Sequence, residues 1–189
     1  MTGRPIGHPL PGADRIALVT VTRLISPADA AELADVLTAN RTFLAPWEPL
    51  RPDSYFTADV QLAGITDTLH RHEQGTVLPL VIVDSDRIVG RITLNGIVRG
   101  PFLSCSVGYW LAEAATGRGL ATAAVREIAG IAFGGLGLHR IQAETLLHNV
   151  PSQRVLERNG FVQIGMAPAY LCIAGRWQDM ILFQLVNPR

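Results

Sequence analysis

The hexapeptide Thr116-Gly117-Arg118-Gly119-Leu120-Ala121 stands where an apolar strand pattern ends and a helical pattern begins. Backbone N–H groups converge at such a junction, and glycines leave room for a ligand to approach them closely. Arg118 adds a full positive charge to the partial charge of the helix terminus. This combination suits an anion, a pyrophosphate in particular, although a tight strand-to-helix turn has the same sequence signature. A P-loop is excluded because no Gly-Lys-Ser/Thr follows, and a dinucleotide fingerprint would need a third glycine and an acidic ribose partner.

Other groups capable of chemistry are scattered. Glu144 alternates with Arg140 and Gln142, opposite Ile141 and Ala143. A carboxylate there either takes a proton from an amine through water or forms a surface salt bridge with Arg140 or Arg118. Trp47, Glu48 and Tyr55 occupy a proline-rich stretch, where an aromatic serves as a binding platform or as an anchor. Cys105 and Cys172 lack a CxxC spacing and sit among apolar residues, so both are expected as reduced, buried thiols. His139 and His148 have no second ligand pair at metal-binding spacing, and no metal is expected.

The elements that must position these groups can be read from periodicity. A Pro/Gly-rich lead, Met1 to Arg15, precedes a strand from Arg15 to Ile25. Ser26 caps a helix with Pro27 at its first position that runs to Ala39. A loop from Asn40 to Tyr55 leads to a second helix from Thr57 to Glu73. A meander follows, with strands at Val77–Asp84, Arg87–Val98 and Ser104–Leu111. The glycine turn then opens a helix to Phe133, and a strand runs from His139 to Leu147. Pro151 opens a short helix that Asn159 and Gly160 close, and strands at Phe161–Met166 and Asp179–Val186 end the chain. The predicted architecture is α/β, one domain over residues 1–189, with a central mixed sheet and helices on both sides.

Composition narrows the function classes. Hydrophobic residues make up 48% of the 189 and charged residues 17%, which describes a chain that folds on one core. Formal net charge is zero and all 16 basic residues are Arg. That leaves no basic face for nucleic acid, while arginine forks still suit phosphates. The complete absence of Lys in an Ala- and Gly-rich chain also matches a GC-rich genome. No apolar run approaches the ~20 residues of a membrane span and no export signal is present, so a cytoplasmic protein without membrane partners is expected.

The order strand, glycine turn, helix, strand, then Asn149-x-x-Ser152 and Asn159-Gly160-Phe161 resembles the acetyl-CoA segment of the GNAT superfamily of N-acetyltransferases. Gly119 and Ala121 match the family turn, with Thr116 standing where Gln or Arg is usual. Asn40 to Pro49, Val98-Arg99-Gly100 and Gly175-Arg176-Trp177 are similar to the bacterial ribosomal-protein alanine N-acetyltransferases. The resemblance implies a GNAT fold, a mostly antiparallel sheet of about seven strands with a splayed middle strand, flanked by about four helices.

It also implies roles. Tyr109, Trp110 and Leu111 would bind the pantetheine arm and face the thioester oxygen, with Gly108 permitting a bulge. Gly117, Arg118, Gly119, Leu120, Ala121 and Thr122 would hold the pyrophosphate, while Asn149, Ser152 and Arg158 complete the acetyl-CoA site. Glu144 stands at the position of a general base. Ser152 is nominated as hydrogen-bond donor to the departing thiolate, in competition with a simple capping role. Tyr170, whose phenol pKa is about 10, is the better matched acid. Two residues depart from related enzymes: Leu156, where some have Tyr, and Ala169, often acidic. Trp47, Glu48 and Tyr55 would receive the acceptor, the terminal Ala or Ser amine of a ribosomal or other protein. Direct attack in a ternary complex is implied, with no acetyl-enzyme. A small amine or antibiotic as acceptor, and a silent acetyl-CoA-binding regulator, are the alternatives; a homodimer is left open.

Overall fold

A computed structural model describes residues 20–188. The lead and the first residues of the expected Arg15–Ile25 strand lie outside them. Seven strands form one sheet: β1 (Thr22–Leu24), β2 (Leu78–Asp84), β3 (Arg87–Val98), β4 (Ser104–Leu111), β5 (Arg140–Leu146), β6 (Val162–Ile173) and β7 (Arg176–Val186). Their order is β1-β2-β3-β4-β5-β7-β6, antiparallel except for the β4–β5 pair.

Five α-helical segments accompany the sheet: α1 (Ala30–Ala39), α2 (Arg41–Leu44), α3 (Ala58–Glu73), α4 (Leu120–Gly130) and α5 (Val150–Arg158). Ser26 begins the first as expected, through a capping box with Asp29 and one tight turn of Pro27–Asp29. Asp29 is itself clamped by both Arg23 nitrogens at 2.8 Å, which holds its carboxyl below the usual range. Segment α2 falls inside the stretch expected as a loop. At four residues it is too short to leave a periodic signal.

Strand alternation divides the core. Leu80, Ile82, Ile92 and Leu94 face α4 and α5, meeting Val125, Ile128 and Leu156, all at most 4% exposed. Val81 and Ile88 face the other way, against Leu33, Leu37 and Ile65 of α1 and α3. Burying such a side chain contributes about 1.5–3 kcal/mol, so each face anchors its helices to the sheet.

One expectation fails at the carboxyl end. No strand is expected between Phe161–Met166 and Asp179–Val186, but β6 continues to Ile173 and turns at Ala174 and Gly175 into β7. Pro168 and a run of exposed residues hide the strand signal, and the β6–β7 register slips between Ala167 and Leu171, where a bulge carries Ala169 at φ 47°. The hairpin lends Leu171 and Ile173 to the site.

Candidate functional site

Strand β4 organises the site. Pairing with β5 covers only Ser104–Ser106 against Arg140–Gln142, while pairing with β3 runs on to Leu111. From Val107 onward one edge of β4 is therefore free, and its N–H and C=O groups face the gap that opens towards β5. Gly90 lets β3 hold the end of the strand: a Cβ there would stand 2.3 Å from the Trp110 carbonyl oxygen. The bulge expected at Gly108 is absent. Gly108 pairs in register with Thr93, and the irregularity of this ladder lies between Asn95 and Val98.

Two clefts open around the free end of β4. The first, about 540 Å³, is lined by Tyr109–Leu111, the glycine turn, Leu120–Thr122 and α5 from its cap Asn149 through Ser152 and Arg154 to Arg158. Gly117 and Gly119 hold φ 72° and 82°, a left-handed conformation that L side chains resist. No atom lies within 4 Å of where their Cβ would be, so the turn's backbone is open to the cleft. Thr116 spends its hydroxyl on the Glu113 carbonyl oxygen at 2.7 Å, closing the turn from behind. Arg118 does not line the cleft. Its Nη1 donates to Asp84 Oδ2 at 2.7 Å, which leaves Arg154 and Arg158 as the arginines on the wall.

Helix α5 sets the position of Ser152. Asn149 caps it, its Oδ1 accepting from Ser152 N–H at 3.2 Å, and Gln153 Nε2 donates to the Leu146 and Leu147 carbonyl oxygens at 3.1 Å. Ser152 Oγ then shares a 2.8 Å hydrogen bond with the Tyr109 hydroxyl. Burial pushes the Tyr109 phenol up to about 12, the Ser152 contact offsetting only part of that. The sequence pattern missed this pairing because Tyr109 and Ser152 belong to different elements. Leu156 of α5 is fully buried in the core, and the phenol that meets Ser152 comes from Tyr109 on β4.

The second cleft, about 560 Å³, lies across β4 and is lined by Trp47, Glu48, Arg51 and Tyr55, by Gln61, Asp67 and Arg71 of α3, by Arg91, Thr93 and Asn95 of β3, and by Leu171 and Ile173 of β6. Trp47, Tyr109 and Trp110 line both clefts. The Glu48 carbonyl oxygen accepts from Ala174 N–H at 2.9 Å, which pins the Trp47–Glu48 loop to the hairpin turn. Trp47 packs on His148 with ring centroids 5.4 Å apart. Burial raises the Glu48 carboxyl above its usual range despite nearby Arg51. Arg71 and Arg91 were not singled out from sequence. The alternation Arg91-Thr93-Asn95 between buried Ile92 and Leu94 was the available signal, a polar strand face that lines the cleft beside α3.

Glu144 and Tyr170 line neither cleft. Glu144 is half-buried on the β5 face it shares with Leu146, a member of the small apolar cluster that Trp47 joins, and burial raises its carboxyl. The salt bridge weighed for it does not form: Arg118 goes to Asp84, and Arg140 lies over the Phe102 ring. Tyr170 is 47% exposed in the β6 bulge, while its neighbours Leu171 and Ile173 face the second cleft. Both cysteines are free thiols; Cys105 is buried, which pushes it up to about 12, whereas Cys172 is only half-buried.

Comparison with known proteins agrees with this geometry. The family model described as acetyltransferase (GNAT) domain matches residues 20–162. The chain is 36% identical over 174 residues to the [ribosomal protein uS5]-alanine N-acetyltransferase of Escherichia coli strain K12, covering 89% of this chain and 88% of that protein. Among solved structures, the ribosomal-protein-S5-alanine acetyltransferase from Vibrio fischeri superposes with a TM-score of 0.85 at 35% identity, over 88% of this chain and 92% of the other. Mycobacterium smegmatis RimJ, in complex with CoA-disulfide, gives 0.86 at 30%, over 89% and 83%. The chain belongs to the GNAT acetyltransferase family and is an N-acetyltransferase. Among the described residues, no helix is long and apolar enough to cross a membrane.

Proposed function

We propose that this enzyme moves the acetyl group of acetyl-CoA directly to the terminal α-amine of a protein, an Ala or Ser end such as a ribosomal protein presents, in the cytoplasm. The observation that carries this reading is the pair of clefts separated only by Trp47, Tyr109 and Trp110, so that an acyl donor and an amine meet without a covalent enzyme intermediate. A thiol pushed up to about 12 and buried, as Cys105 is, makes a poor nucleophile.

The residues fit acetyl-CoA. The open glycine turn at the start of α4 and the Arg154 and Arg158 guanidinium groups suit phosphates, and the unpaired edge of β4 suits an amide-bearing arm. Backbone N–H groups of Tyr109–Leu111 stabilise charge that builds on the thioester oxygen. Ser152, backed by Tyr109, donates a hydrogen bond to the departing sulfur. The phenol stays protonated through the working pH range, so the pair is a standing donor rather than a titrating acid. Tyr170 is not placed to share this task.

On the other side Glu48 faces the incoming amine and accepts its proton. An α-amine, with a pKa of about 8, is appreciably neutral near pH 7, so a carboxylate of moderately raised pKa suffices, whereas a lysine would demand roughly 3 kcal/mol more. Glu144, half-buried on β5, lines neither cleft and takes no proton from the amine in this reading. Purified protein incubated with acetyl-CoA, peptides beginning with Ala, Ser or Met, and small amines, followed by thiol release and product mass, tests the reading. Acetylated Ala or Ser termini are expected; turnover confined to small amines would overturn the acceptor assignment.

A further inference from the structure

The second cleft carries a charge that nothing in the protein answers. Of its arginines, Arg71 is held by Asp67 at 3.1 Å, and Arg51 lies over the Tyr55 ring at 4.4 Å in the field of Glu48. Arg91 differs. Its Nε is buried without a hydrogen-bond partner, and among the described residues its guanidinium makes no ion pair. Its neighbours are the neutral Tyr55 phenol and the like-charged Arg71; burial and Arg71 both press against its charge. Three arginines against Glu48 and Asp67 leave the cleft one positive charge in excess. A half-buried guanidinium whose Nε has no partner is left under-solvated, so a ligand that answers it gains affinity and specificity together.

We propose that Arg91 is a specificity-determining residue that selects acceptors carrying a carboxylate close to the reacting amine, an Asp or Glu side chain within the first few residues of the peptide. The surplus of one charge matches a carboxylate better than a dianionic phosphate, and the planar fork of Arg91 binds carboxylates in two-point fashion. Arg91 stands on the cleft floor beside Thr93 and Asn95, paired in register with Trp110 of the shared wall. An acidic side chain docked there sets the peptide's depth and so the amine's approach to the thioester. The inference rests on the terminal-amine reading above and names the substrate class within it.

The test uses peptides identical except for Glu or Gln at the second, third or fourth residue, with glutamic acid α-amide and glutamine α-amide as a small-amine pair, on wild type, Arg91→Gln and Arg91→Lys. Wild type is expected to favour the best-placed Glu peptide over its Gln twin by about tenfold or more in kcat/KM. Arg91→Gln should erase that ratio and Arg91→Lys restore part of it, with acetyl-CoA affinity and thermal midpoint showing each variant folded. A purely structural Arg91 would slow both twins equally and leave the ratio intact, which overturns the proposal. Equal rates on every Glu/Gln pair in wild type overturn it while leaving the terminal-amine reading standing. Turnover of small amines alone sinks that reading instead, and the two amides then decide the Arg91 proposal by the same ratio.

Discussion

The first cleft takes nearly all of its lining from two short stretches, 109–122 and 149–158, and joins the open backbone of the glycine turn to an apolar and aromatic wall with Arg154 and Arg158. The second gathers charged and aromatic side chains from six segments spread between Trp47 and Ile173. In the proposed reading the coenzyme is a constant, met by a strand edge, a glycine turn and a helix cap largely through backbone groups that every residue possesses. The acceptor, placed by the same reading in the second cleft, is a choice, and choosing takes side chains whose charges the fold leaves partly unanswered. Glu48 and Arg91, both burdened by burial, stand in the second cleft, whereas Asp29 in the scaffold accepts hydrogen bonds from Arg23 and from the Ser26 N–H.

That contrast predicts where mutations hurt most. Glu48→Gln should lower kcat/KM for the amine by about a hundredfold or more and remove the acid limb of its pH profile. The sign follows from burial: a carboxyl whose folded pKa is raised loses its base form at a higher pH than an ordinary Glu. In stability the same shift runs the other way. The folded state holds the proton more tightly than the unfolded chain, so stability is gained as pH falls through the raised pKa, and at neutral pH the charge is a cost. Both Glu48→Gln and Glu144→Gln should therefore raise the thermal midpoint at pH 7. Only the first should abolish turnover. A larger loss in Glu144→Gln would move the base to β5.

On the shared wall the expected effects are intermediate. Tyr109→Phe and Ser152→Ala should each cut kcat by about tenfold, and the double variant should lose little more, because the two hydroxyls act as one donor chain. No limb near the tyrosine range should appear in the wild-type profile between pH 6 and 10, since burial keeps the phenol protonated there. Additive losses would mean that Ser152 only caps α5.

These effects also show why legibility differed between the clefts. The glycine turn, Asn149 and Ser152 announce themselves because each belongs to a short stretch of chain that forms a continuous part of the wall; strands β2 to β5 and helices α3 and α5 were placed to within a residue or two by periodicity and caps, and the start expected for the first helix is the tight turn Pro27–Asp29 that leads into α1. Arg91, Arg71 and the Tyr109–Ser152 bond could not be read, because a strand position says which face a residue takes and not what covers that face. The far end of the carboxyl-terminal hairpin, beyond the expected strands Phe161–Met166 and Asp179–Val186, escaped for a related reason. The hairpin's apolar residues are largely exposed, Met166 at 55% and Trp177 at 69%, and the alternation that marks a half-buried strand is missing.

The glycine turn tests the backbone half of the contrast. Gly119→Ala places a Cβ on a residue at φ 82°, a conformational cost of about 1–2 kcal/mol. The turn should relax away from that geometry and raise the KM for acetyl-CoA by roughly tenfold, with little change in discrimination among acceptors. A shift in acceptor preference instead would tie the turn to the second cleft.

The smallest effect separates arginines that look alike in sequence. Arg118 sits inside the turn that resembles a pyrophosphate site, yet its guanidinium is committed to Asp84, and the pair is about half exposed on the arginine side. An exposed ion pair of this kind contributes about 0–1 kcal/mol, so Arg118→Ala should change the KM for acetyl-CoA by less than about threefold. Arg158 and Arg154 line the cleft without an ion pair among the described residues. Arg158→Ala should raise the same KM by several-fold more than Arg118→Ala, and added salt should shrink the gap, because an exposed arginine–phosphate contact is screened. If Arg118→Ala proved the more damaging, the Asp84 bond would have to break when the coenzyme binds, and the turn would recognise phosphate through a side chain as well as through its backbone.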